Sequence, residues 1–313
     1  MGTVGGMARR ATADALGPAE AALTTADALG PAEGALIQGE LELGGLPRPL
    51  VRVTPAKLST WIGCPRRYRM AYLDRPAPAR GGAWAHNTLG AVVHSALRAL
   101  FDLAPGRRRP HAAAALVATH WSGEGFANDA QAADYRSRAQ DWVARYVDEL
   151  NPHLDPVGVE RWVSAPTRRI IAEGRVDRID ERDGELVVVD YKTGRQALTV
   201  DDARGSQALA LYAFAARRTL RRECRRVELH HLPTGTVVGW EHTEQSLTRH
   251  LRRAEEAAEE IALATDTLET GGDPEILFPP VPGKACSWCD FRRHCPEGRA
   301  SAPDLQPWAL LAP

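Results

Sequence analysis

The stretch Gly174–Gly194, GRVDRIDERDGELVVVDYKTG, constrains the chain more than any other. It reads as two strands joined at Asp183-Gly184, a dipeptide suited to the positive φ angles of a two-residue hairpin turn. With that pair as the loop, residues whose numbers sum to 367 face each other, which sets Asp177 opposite Asp190. Opposed residues on one sheet face have Cβ atoms roughly 5 Å apart, where like charges repel, so a partner must neutralise them. The period of two puts Lys192 on the face of Asp190 and points Val187, Val189 and Tyr191 the other way. Two carboxylates and an ammonium on a small area suit a divalent metal and an activated water. The plainer alternative is a surface hairpin with a cross-strand ion pair, which is common and energetically weak. Against it, Leu186-Val187-Val188-Val189 has the pattern of a strand buried on both faces, and its polar end is therefore costly without a purpose. Lysine is also scarce: Lys57, Lys192 and Lys284 are the lysines among 39 basic residues.

The rest of the chain supplies a core for this hairpin. At 313 residues and 44% hydrophobic content it can bury one large core or two modest ones. The formal net charge of -1 gives no global signature of nucleic-acid binding and leaves local patches open. No apolar run reaches the length of a membrane span and the N-terminus lacks a signal-peptide core, so a soluble, cytoplasmic protein with no membrane partner is expected. Residues 1–50 carry a 13-residue tandem repeat, TADALGPAEAAL from Thr12 and TADALGPAEGAL from Thr25, broken at Pro18 and Pro31; it reads as a weakly ordered extension. Folding of the main domain, residues 51–313, is expected to begin near Val51, with Thr54-Pro55 as N-cap and first turn of a helix.

Further helices are expected over residues 86–101, 111–121, 130–150, 207–220 and 244–268, and strands near 160–163, 168–171, 227–229 and 236–240. In the first of these helices Gly90 and His94 lie one turn apart on one face, so the glycine admits a neighbouring element close to the imidazole. A lone His there is usually a hydrogen-bonded core residue; it becomes a ligand only if the helix packs near the two aspartates. The six arginines between Arg217 and Arg226 are either a solvated helix end or a phosphate-tracking patch.

Five cysteines is an odd number, and Cys286, Cys289 and Cys295 fall within ten residues. In a reducing compartment this spacing argues for thiolate ligation of a metal. A fourth ligand has to come from elsewhere; Cys64, placed at a helix break before Pro65, and Cys224 both qualify, and His294 offers an imidazole. Zinc and a [4Fe-4S] cluster both accept such a set.

Taken together the motifs resemble the RecB-type branch of the PD-(D/E)xK nucleases, in particular members with an iron-sulfur cluster that include helicase-associated exonucleases and CRISPR-adaptation nucleases. GAVVHSAL at 90–97 resembles the family's G-x-x-x-H-x-x-L helix, and VVDYKTG at 188–194 its D-x-K motif. GRVDRID at 174–180 is similar to the first acidic motif, with Val176 in place of the proline. Residues 58–73 and 284–297 resemble the elements that donate one and three cluster cysteines.

The resemblance implies an α/β, restriction-endonuclease-like core: a mixed central sheet flanked by helices, closed by a cysteine-ligated cluster between N- and C-terminal elements. It implies that His94, Asp177, Asp190 and the carbonyl of Tyr191 hold Mg²⁺ or Mn²⁺, that Lys192 orients or deprotonates the attacking water, and that Cys64, Cys286, Cys289 and Cys295 bind a [4Fe-4S] cluster, leaving Cys224 spare. The implied activity is hydrolysis of phosphodiester bonds in DNA ends or single strands, in repair, recombination or CRISPR adaptation, with a separate helicase or CRISPR-adaptation protein as a possible partner; a silent DNA-binding or helicase-partner module of the same fold is the alternative. No G-x-x-x-x-G-K-[ST] pattern occurs, so an ATP-driven motor is expected in another chain. The family's Q-x-x-x-Y pair has no match in spacing: Gln207 and Tyr212 are five apart and do not share a helical face.

Overall fold

Strand β4 (Glu185–Lys192) is the spine of the domain: Leu186 to Val189 are each at most 2% exposed, sandwiched between two helical layers. Each such side chain contributes about 1.5–3 kcal/mol of burial. The computed structural model describes residues 50–151 and 153–311; the tandem repeat lies outside them. Strand β3 (Ile170–Arg182) pairs antiparallel with β4 through Asp183 and Gly184, whose φ angles of 52° and 83° are those a type I′ turn requires. The register is the one expected, with Arg178 opposite Val189 and Arg182 opposite Glu185.

The sheet is mixed. Its order is β1 (Val51–Val53), β3, β4, β5 (Cys224–His231) and β6 (Thr236–Glu241), and β2 (Gly158–Pro166) pairs with the other edge of β3. β1 runs parallel to β3, and β5 parallel to β4. On the edge of β3 away from β2, β1 covers residues 170–172 and β4 covers 178–182. Among the described residues no strand pairs with 173–177 on that edge, so the sheet opens there, up to and including Asp177.

One face carries α3 (Ala85–Phe101), α4 (Pro110–Thr119) and α5 (Asp129–Glu149), packed on Val187, Val189 and Tyr191. The other carries α7 (Gln207–Leu220), whose Leu209, Ala210 and Ala213 pack on Val163, Val176, Ile179 and Val188. A third cluster joins β1, α1 (Pro55–Gly63), α2 (Pro65–Tyr72) and the long α8 (Glu244–Glu269) through Trp61, Tyr68, Ala258, Ile261 and Phe278. Local signals set the ends: Thr54 Oγ1 accepts the Lys57 N–H with Pro55 opening α1, and Cys64 caps α1 and precedes Pro65 of α2 in extended geometry. The short helices α6 (Val200–Gly205), α9 (Pro274–Leu277) and α10 (Pro296–Ser301) complete the domain. Among the described residues no helix is long and apolar enough to cross a membrane.

Four of the six arginines of 217–226 are engaged with acids. Arg217 pairs with Glu223 and Glu244, Arg222 with Glu181, Arg225 with Glu185 and Arg226 with Glu228. The structure thus favours the ion-paired helix end and neighbouring strand over the phosphate-tracking patch.

Candidate active site

The open stretch of β3 gathers three carboxylates from three adjacent strands. The register of β2 with β3, Val159 opposite Arg178 and Arg161 opposite Val176, sets Glu160 beside Asp177, and the hairpin register sets Asp177 beside Asp190. At roughly 5 Å and an effective dielectric near 20, each adjacent pair of charges repels by on the order of 3 kcal/mol. Each acid therefore has its own partner. Glu160 accepts Arg175 Nε at 2.8 Å, Asp177 Oδ2 accepts the Tyr191 backbone N–H at 2.9 Å, and Asp190 is ion-paired with Lys192. The Asp177 contact is what the departing strand β4 leaves in place of a ladder bond.

Helix α3 delivers His94 into this group. Its Nδ1 is 3.3 Å from Asp177 Oδ1 and its Nε2 is 3.2 Å from the Tyr191 carbonyl, so both ring nitrogens face acceptors. Burial opposes the imidazolium, but Asp177, Asp190 and Glu160 outweigh it and raise the His94 pKa. Gly90, one turn before His94, faces Thr193 just past the end of β4, where an added Cβ would meet Thr193 Oγ1 at 3.4 Å, an ordinary contact distance. Burial raises the pKa of Asp190 against the pull of Lys192, and burial likewise raises Glu160 against Arg175.

Glu160 was not expected. It sits in a strand at φ 48°, a left-handed conformation that costs a non-glycine residue about 1–3 kcal/mol and is characteristic of functional positions. His94, Glu160 and Asp177 can each present a ligand atom within 4.8 Å of the others, the one such group among the described residues. Asp190 flanks it on Asp177's other side, and the Tyr191 carbonyl contacts the same imidazole. Three carboxylates, a carbonyl and an imidazole form a hard, oxygen-rich donor set of the kind Mg²⁺ or Mn²⁺ takes.

His94, Glu160 and Asp177 border a cleft of about 610 Å³ that is also lined by Thr54, Arg98, Trp162, Arg175 and Tyr212, among others. Tyr212 reaches it from α7 because Gly174 leaves room: a Cβ at 174 would be 2.7 Å from the ring. Burial, with Asp190 and Asp177 nearby, pushes the Tyr212 hydroxyl up to about 12. Gln207 does not line this cleft, and its buried Nε2 has no hydrogen-bond partner. The pair is therefore not brought together at the site. Lys192 lines a second cleft, of about 560 Å³, on the other side of Gly90 with His86, Asn87 and Arg195.

The four cysteines converge away from this site. Cys64, Cys286, Cys289 and Cys295 line one cavity of about 90 Å³, closed by Met70, Phe291 and Gly298. The Gly298 N–H donates to Cys295 Sγ at 3.3 Å, and an added Cβ at 298 would meet the sulfurs of Cys295 and Cys286 at 3.3 and 3.5 Å. Cys224 lies apart in the core, where burial pushes its thiol up to about 12. His294 turns outward, its Nε2 3.0 Å from the Ala79 carbonyl. Of the flanking arginines, Arg66 pairs with Glu297 and Glu275, Arg69 with Asp74 and Glu275, and Arg292 donates to the carbonyls of Cys286, Gly298 and Ala302. Their engagement ties the tail to the start of the domain.

Among known proteins, the chain is 30% identical over 211 residues to one of the subunits of the ATP-dependent helicase/deoxyribonuclease of Moorella thermoacetica; the aligned stretch covers 56% of this chain and 18% of that protein, so the chain spans under a fifth of that relative's length. A crystal structure described as a putative exonuclease from Eubacterium rectale superposes with a TM-score of 0.48 at 12% identity, over 78% of this chain and 87% of that one. Residues 52–296, which include every site residue described above, match the PD-(D/E)XK nuclease superfamily as a whole. The chain belongs to the PD-(D/E)XK nuclease superfamily.

Proposed function

We propose that the protein is a divalent-metal-dependent deoxyribonuclease that hydrolyses phosphodiester bonds at DNA ends or in single strands, working beside a helicase in repair or recombination. The observation that carries this reading is the convergence of His94, Glu160 and Asp177 on one point, with Asp190 and Lys192 beside it. The relative's description as part of a helicase/deoxyribonuclease supports the substrate and the partner.

A divalent cation held by His94, Glu160, Asp177 and Asp190, with the Tyr191 carbonyl as a further donor, would supply the charge that neutralises phosphate and acidifies water. The chain's own groups do the rest. Lys192, ion-paired with Asp190 and 45% exposed, orients the attacking water and can give a proton to the departing oxygen. Arg98 and Arg175 present positive charge along the cleft, where they anchor flanking phosphates. Purified protein is expected to shorten end-labelled DNA with Mg²⁺ or Mn²⁺ and to stop when EDTA removes the metal. An absence of cleavage with either ion on single- and double-stranded ends would overturn this reading.

For the cysteine cavity we propose a [4Fe-4S] cluster that clamps the start of the domain to its C-terminal tail. Four cysteines, one from the helix break at Cys64 and three from the tail, line one cavity, and a [4Fe-4S] cluster takes four thiolates with one of them remote in sequence. When bound, the cluster would supply covalent cross-linking of the two segments. Protein purified without oxygen should be brown, with iron and sulfide near four per chain, and Cys64→Ser should lose the colour. A colourless, zinc-loaded protein would rule the cluster out.

A further inference from the structure

Trp162 is the most exposed Phe, Tyr or Trp among the described residues, at 54%. Tryptophan has a large apolar surface that a free protein normally covers. Here it is held in the open by the sheet. Val163, its neighbour in β2, is fully buried under α7, so Trp162 lies on the opposite face, toward α3. It lines the cleft that contains His94, Glu160 and Asp177.

Its position along the strands gives it a purpose. Trp162 is paired with Arg175 across β2 and β3, and this pair lies two residues along from Glu160 and Asp177. Two strand residues span about 7 Å, the reach of one nucleotide in an extended strand. Arg175 gives Nε to Glu160 while its side chain stays 64% exposed, and exposed Arg98 of α3 lines the same cleft. A flat aromatic face, flanked by guanidinium groups and one nucleotide from a cation site, matches what single-stranded DNA presents: a base to stack and phosphates to neutralise. A duplex does not present it, because its bases are covered by their neighbours.

We propose that Trp162 is a stacking platform for an unpaired base next to the scissile phosphate, and that single-stranded DNA is the substrate class this cleft takes. The proposal rests on the nuclease reading for the site it serves, but binding can be measured without cleavage. Anisotropy of a labelled oligo(dT) strand, with Ca²⁺ replacing Mg²⁺, is the readout. Trp162→Ala should weaken binding about ten-fold and Trp162→Phe no more than about three-fold, since any aromatic face stacks. An oligonucleotide of abasic sugars should bind the wild-type protein about as weakly as oligo(dT) binds the alanine variant. Unchanged binding by Trp162→Ala, or an equal loss on blunt duplex, would overturn the platform. A wild-type protein that cuts DNA while Trp162→Ala binds normally removes the platform alone. One that binds through Trp162 and cuts nothing with Mg²⁺ or Mn²⁺ removes the nuclease reading alone.

Discussion

Asp190→Asn is expected to lower metal-supported DNA cleavage by about 10²–10³-fold, the usual cost of removing one preorganised charge from a site where charge develops, and to do so without destabilising the fold. The second half of that expectation follows from the electrostatics. Asp190 is the end of a buried strand, and burial raises its pKa even with Lys192 beside it. Its charge is thus held against the preference of its surroundings, next to Asp177. Asparagine has the same shape, needs no desolvated charge, and leaves Lys192 to solvent at 45% exposure. The thermal midpoint should therefore stay level or rise. Asp177→Asn should behave alike, because its amide oxygen can still accept the Tyr191 N–H. Glu160→Gln adds a third test of the donor set, since a side chain held at positive φ for a purely structural reason would lose stability when changed and leave cleavage intact. The measurement pairs initial rates on end-labelled DNA with melting curves for the same samples. Full cleavage by Asp190→Asn, or a rate loss explained by unfolding, would remove Asp190 from the site.

Much of this arrangement could be read from the sequence wherever a local device fixed a long-range consequence. Asp183-Gly184 dictates a two-residue turn, the turn dictates the register, and the register brings Asp177 to Asp190. Thr54-Pro55 and Cys64-Pro65 fixed where α1 begins and breaks. Glu160 was hidden for the complementary reason. The connection Thr167-Arg168-Arg169 between β2 and β3 has no Asn-Gly or Asp-Gly signal, so nothing in the sequence sets the register that puts Glu160 beside Asp177. Neither the parallel placement of β1 nor the opening of the sheet over 173–177 has a local cause. The convergence of the four cysteines depends on α2 and the C-terminal tail meeting across more than two hundred residues, which spacing within the tail cannot show. Tyr212 enters the cleft through the absence of a side chain at Gly174, a relation between two elements that no period within α7 reveals.

A second large effect is expected behind the site, at Arg178. Tyr191 supplies the carbonyl and the N–H that His94 and Asp177 contact, and its ring points into the α5 side of the sheet. There Arg178, 1% exposed, ion-pairs with Asp180 through Nε at 2.8 Å, donates Nη2 to Asp180 at 3.0 Å, and donates Nη1 to the hydroxyls of Tyr146 and Tyr191 at 2.8 and 3.0 Å. Asp180 also takes Arg182, Arg182 grips Glu228, Glu228 meets His230, and His230 Nδ1 meets the Tyr146 hydroxyl at 2.7 Å, closing a ring of contacts. Burial, with Arg178 nearby, keeps His230 neutral by lowering its pKa despite Glu228, which suits an Nε2–H donating to Glu228 and an Nδ1 accepting from Tyr146. Arg178→Met keeps the volume and removes the charge, leaving fully buried Asp180 with half its compensation. Breaking such a pair costs about 3–5 kcal/mol, or roughly 10 °C in a domain of this size. It also unpins the Tyr191 ring, so the turnover number should fall at temperatures where the protein is still folded. Because the cost comes from the orphaned carboxylate and not from the lost contact itself, Arg178→Met with Asp180→Leu should recover more than half of the lost stability. Denaturant melts of the two variants decide the matter: a single variant within about 1 kcal/mol of wild type, or a double variant no better than the single, would show that the ring of charges does not hold Tyr191 in place.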